Sequence, residues 1–68
     1  NPSDGIYTVD TKFNDFNIEV YSLLGKKIIS KRKNGSSNII DIRNYKKGSY
    51  LVKIMTKNKV IVKKIIYQ

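Results

Sequence analysis

The sequence predicts an all-β protein, a sandwich or barrel of short strands. Three observations lead there. No stretch of the 68 residues sustains a helical period. Short β-branched and aromatic runs recur instead, several with a period of two. Gly, Asn, Ser and Asp interrupt these runs at intervals of roughly eight to twelve residues, the spacing of a sandwich or barrel. Six such strands in so short a chain form two packed layers.

Asn1-Pro2-Ser3-Asp4-Gly5 reads as a turn, because proline fixes one φ and Gly5 tolerates a positive one. Residues 6–10 form the first strand, with Tyr7 and Val9 inward. Residues 12–15 read as a polar loop with Phe13 and Phe16 near its ends. Residues 17–22 form the second strand, with Ile18 and Val20 on one face and Glu19 and Tyr21 on the other. Gly25 turns the chain as a positive-φ residue. Residues 27–32 follow as the third strand, with Ile28 inward. Asn34-Gly35 suits a tight hairpin turn.

Residues 38–42 form the fourth strand, with Ile40 and Ile42 on one face and Asp41 between them. Tyr45, in the connection over 43–47, folds back onto the core. Gly48 opens the fifth strand, 49–56, where Tyr50, Val52 and Ile54 alternate with Leu51, Lys53 and Met55. Lys57-Asn58-Lys59 is a hairpin loop, and residues 60–67 are the last strand. That strand is apolar on both faces. It is either a central strand covered on both sides, slightly the favoured reading, or an edge that another protein covers.

Composition argues against an enzyme. A chain this short buries only about 60% of its unfolded surface, which leaves little room for a deep catalytic pocket. There is no Cys, hence no disulfide or thiolate metal site, and no His, the usual general base near neutral pH. The five carboxylates are Asp4, Asp10, Asp15, Glu19 and Asp41. The first and third of these fall in expected turns, and the others alternate with apolar residues and should point to water. No metal or cofactor is expected. The four glycines lie in four separate turns, so none builds a phosphate loop.

The net charge is +9. It suits a polyanion partner such as nucleic acid, lipopolysaccharide or an acidic membrane surface. A solvated β surface in a lysine-rich proteome, where A/T-rich codons inflate the lysine count, explains it as well, and takes the larger share. Tyr7 and Tyr50 face inward on this reading, and Tyr21 and Tyr67 are too few for a base-stacking platform, so no specific nucleic acid is expected. No apolar run exceeds three residues, against about 20 for a membrane span. The first residues carry no signal-peptide pattern and read as a cut within a longer polypeptide.

The last strand breaks its own pattern. Adjacent strand residues point to opposite faces, so Lys63-Lys64 places one ammonium on the inward side. Such an inconsistency marks a binding site or an edge defended by charge, with equal weight for each.

Three segments, in order, resemble the type A C-terminal sorting domain of the type IX secretion system of Bacteroidetes. They are Asn1-Pro2-Ser3-Asp4-Gly5-Ile6-Tyr7-Thr8-Val9, then Ile18 to Ile28 with its Leu24-Gly25 turn, then Ile40-Asp41-Ile42 with Gly48 to Ile54 and Lys63-Lys64-Ile65-Ile66. The likeness covers essentially all of residues 1–68, read as one sorting domain. It implies a small immunoglobulin-like antiparallel β-sandwich of about six to seven short strands. It implies a secretion signal at the C-terminus of a cargo, which crosses the periplasm and outer membrane and ends secreted or on the cell surface. The implied partners are the translocon, its outer-membrane shuttle protein and a sortase-like cysteine protease that removes the domain. The implied recognition residues are Gly48, Tyr50, Lys53, Lys63, Lys64, Ile65 and Ile66. Asn1, Pro2, Gly5 and Gly25 are the implied structural turn motif. Tyr45 stands where leucine is more usual, and would fill the same pocket. The last strand also permits a dimer through its edge. The rival readings are a basic polyanion-binding module and a non-catalytic accessory sandwich.

Overall fold

The structure, a computed structural model, describes residues 2–10, 15–34 and 37–68, with side chains for 4–9, 15–32 and 39–68. Among these residues there are seven strands and no helix: β1 (Pro2–Ser3), β2 (Ile6–Asp10), β3 (Asp15–Ser22), β4 (Lys27–Asn34), β5 (Ser37–Asp41), β6 (Gly48–Met55) and β7 (Val60–Tyr67). They form a five-stranded sheet of order β1-β7-β6-β3-β4 and a two-stranded sheet of β2 and β5. All pairings are antiparallel except β1 with β7.

The core lies between the sheets. The large sheet contributes Phe16, Ile18, Val20, Tyr50, Val52, Ile54 and Ile65; Val9, Ile40 and Ile42 meet them from the other layer. Each comes from the inward parity of its strand, as alternation requires, and Ile42 continues that parity one residue past β5. The expected inward faces of β2, β3, β5 and β6 are therefore the observed ones, with Tyr7 half-buried against the core.

Several expectations change. Phe16 does not belong to a loop. It lies in β3 and is buried, because the period of two through Ile18 and Val20 reaches one step further back. Phe13 lies outside the described residues. Asn34-Gly35 does not join a hairpin pair, since β4 pairs with β3 and β5 with β2. Gly35 and Ser36 themselves lie outside the described residues.

The expected inward position of Ile28 is shared with Ile29. Val20 stands opposite Ile29 and Tyr21 opposite Lys27, so β4 carries a bulge between them. Both isoleucines are half-buried against the core. The Tyr45 hydroxyl donates to the Ile28 carbonyl at 3.1 Å. Tyr45 is thus not in a core pocket. It is 41% exposed and latches the connection after β5 onto the bulge. Glu19 does not point freely to water either. Tyr21 donates to it at 2.7 Å and Lys27 pairs with it at 2.9 Å, and both interactions hold its carboxyl below the usual range.

The opening turn is also revised. Asn1 lies outside the described residues, but Pro2 and Ser3 are extended and pair in parallel with Ile66 and Tyr67. Two residues carry no readable period, so only the partner strand defines them. After β1 the chain crosses to the other sheet at Gly5, where φ is +97°. A Cβ there would stand 2.7 Å from Arg43 Cγ and 3.0 Å from the Tyr67 ring. Both the backbone conformation and the space require glycine. Gly25 has a φ of +87° in the β3–β4 turn, as expected.

At the end of β5, Asp41 accepts from the Arg43 backbone N–H and Nε at 3.0 Å each, and from Nη2 at 2.8 Å. These bonds hold its carboxyl down at about 2, against 3.8 ordinarily. The ionised form is favoured in the folded state, so its contribution is complete above 3.8 and lost as pH falls through about 2. Urea midpoints measured down this window should fall in the native chain, and fall less in Asp41→Asn.

Candidate recognition site on the last strand

β7 pairs with β6 along its whole length, from Val60 opposite Met55 to Tyr67 opposite Gly48. Its other border pairs only at Ile66 and Tyr67, with β1. From Val60 to Ile65 that border has no strand partner among the described residues. The expectation of a central strand covered on both sides is therefore overturned: over these residues β7 is an open edge. The reason is that β1 is only two residues long.

Strand alternation sorts the side chains of β7 by face. Ile61, Lys63, Ile65 and Tyr67 point toward the small sheet, and Ile65 is fully buried. Val60, Val62, Lys64 and Ile66 point to the outer face, where Val60 is 60% and Val62 55% exposed. Lys64 stands opposite Leu51, and Lys53 opposite Val62. The outer face beside the border is thus valine-rich and flanked by Lys53 and Lys64.

On the inner side the two sheets part. A cleft of about 240 Å³ opens there, lined by Tyr7, Thr8 and Val9 of β2, Val52 and Ile54 of β6, and Ile61 and Lys63 of β7. Lys63 is exposed at its wall. The inward lysine is tolerated because it borders this open cleft and stays exposed. The ammonium groups of Lys63 and Lys64 make no ion pair with a described residue. The opposite border of the sheet, β4, differs in kind. It carries Lys27, Lys31 and Arg32 and a bulge, which defend an edge against pairing.

The remaining residues suggested by the sequence divide into two groups. Lys53, Lys63, Lys64 and Ile66 lie on or beside the border. Tyr50 does not reach the surface: it is 6% exposed, and its hydroxyl donates to the Lys46 carbonyl. Ile65 is likewise core. Gly48 is exposed, has a φ of +147°, and pairs with Tyr67 where β6 begins. No atom lies within 4 Å of a Cβ placed there, so only the backbone conformation disfavours a side chain. Sequence reasoning missed Tyr7 and Thr8 as cleft residues, since their position depends on how far one sheet overhangs the other. Val60 and Val62 were readable as an unusual second apolar face.

The open border of β7, with exposed valines and two ammonium groups outside any ion pair with a described residue beside it, offers backbone groups to a further strand, the chemistry of a protein-recognition module. In strand addition generally, backbone pairing supplies the grip and side chains supply the selectivity. The model of a family described as secretion system C-terminal sorting domain matches residues 1–68, and the chain belongs to that family. It is a C-terminal sorting signal for type IX secretion, and proteins bearing such a domain are exported to the cell surface or secreted. It works with the type IX machinery and in continuity with a cargo. No curated protein matches the chain.

Proposed function

We propose that the export signal is read at the open border of β7, by a strand of the secretion machinery that adds to it. The carrying observation is the run from Val60 to Ile65, unpaired among the described residues, beside Lys63 and Lys64. The added strand takes its main-chain bonds from this border. Lys63 meets an acidic group on the cleft side, and Lys64 meets one on the outer side. Tyr50 and Gly48 support recognition indirectly, by fixing where β6, and with it β7, begins and ends. The domain carries out no catalysis of its own. The translocon and its outer-membrane shuttle are the readers, and a sortase-like cysteine protease then removes the domain from the cargo.

The test is a fusion of residues 1–68 to a periplasm-directed fluorescent protein, in a bacterium with this machinery. Fluorescence should reach the surface or medium with the full domain, and remain periplasmic when residues 60–68 are deleted. Retention of both fusions defeats the proposal, and so does export of both.

A further inference from the structure

We infer that the tip of the β3–β4 hairpin is a docking point for an anionic lipid surface. Two adjacent leucines stand at this tip, Leu23 at 62% and Leu24 at 97% exposure. They are not the product of a loose loop. Gly25 N–H donates to the Ser22 carbonyl at 2.9 Å, Ser22 N–H to the Lys26 carbonyl at 2.9 Å, and Lys26 N–H to Ser22 Oγ at 3.3 Å. A closed turn therefore holds both apolar side chains out in water.

Three lysines at this end of the sandwich stand outside any ion pair with a described residue. Ser22 pairs with Tyr50, whose hydroxyl binds Lys46, and Tyr45 binds Ile28 just beyond the turn. These ties bring Lys46 and Lys47 to the same end as Lys26, and all three are exposed without an ion pair to a described residue. Of the carboxylates near this end, Asp41 is paired with Arg43 and Glu19 with Lys27. Asp4 accepts from the Ile6 N–H at 3.3 Å and is left as the one carboxylate, among the described side chains there, without a cationic partner within ion-pair distance.

A lipid headgroup layer suits this arrangement better than a protein groove. Charged residues are depleted at the buried cores of protein interfaces, where exposed leucines such as these would sit. At a bilayer, leucines enter the acyl boundary while ammonium groups remain at the level of the phosphates. The tip also lies across the sheet from β7, beyond β6 and β3. A domain resting on lipid thus keeps its recognition border free, and the search for the secretion machinery proceeds in two dimensions.

The experiment is co-sedimentation with phosphatidylcholine vesicles containing about one-third phosphatidylglycerol, beside vesicles of phosphatidylcholine alone. The chain should bind the anionic vesicles. Leu23→Ser with Leu24→Ser should weaken binding by about tenfold or more, and Lys26→Gln, Lys46→Gln and Lys47→Gln by about fivefold each. These side chains are exposed, and circular dichroism should show each variant folded. Absence of binding by the native chain overturns the inference. So does undiminished binding by the double serine variant, which would reduce the effect to adsorption by the general positive charge.

Discussion

Glutamate at both Lys63 and Lys64 is expected to lower export of an attached cargo by at least about tenfold without unfolding the domain. Both lysines are exposed and neither has a described partner, so reversal breaks no ion pair seen in the structure. Surface changes of this kind usually shift stability by no more than about 0.5 kcal/mol. At a partner's acidic site the effect is much larger. Close charge pairs across protein interfaces couple by about 1.5–7 kcal/mol, and reversal replaces attraction by repulsion. Quantitative blots of periplasm and medium measure export, and thermal melts measure the fold. Lys63→Gln with Lys64→Gln should fall between the native and reversed chains. Since Lys63 faces the cleft and Lys64 the outer surface, the two single reversals show which face the partner engages. Native-level export of the folded double variant would exclude these lysines from recognition.

Ile65→Ala, one residue further along β7, is expected to abolish export by the opposite route. Ile65 is fully buried and stands opposite Tyr50. Truncating a buried isoleucine to alanine removes about 2–5 kcal/mol. A domain of this length has roughly 3–10 kcal/mol in total. The variant should therefore be partly unfolded at growth temperature, with a sharply lower urea midpoint. Val62→Ala, at a 55% exposed position of the same strand, should leave the midpoint almost unchanged. A loss below about 1 kcal/mol at Ile65 would mean that β7 does not seal the core. Together the pairs separate the strand's two duties, because loss of recognition and loss of folding give different melts.

The legible parts of the fold are those written in neighbouring residues. Ile18 and Val20, Ile40 and Ile42, and Tyr50, Val52 and Ile54 each announce an inward face by alternation, and each face is where the sequence places it. Phe16 was equally readable, but the polar residues before it drew it into a loop. Tyr45 misled for another reason. An aromatic ring suggests burial, whereas here its hydroxyl seeks the carbonyl at a bulge that only strand pairing creates. The same holds for β1, whose two residues become a strand only against Ile66 and Tyr67.

By itself the sequence determined the all-β class, the inward faces, the Gly25 turn, the lysine-bearing last strand and, through its ordered motifs, the sorting-domain family. These depend on local periodicity, on backbone freedom at single residues and on spacing along the chain. Tertiary structure alone decided which strands are neighbours, that β1 covers just the final two residues of β7, and that Lys63 borders an open cleft between the sheets. Those outcomes arise from contacts between distant segments, where register and overhang are set by packing both sheets around one core, and no short window of residues encodes them.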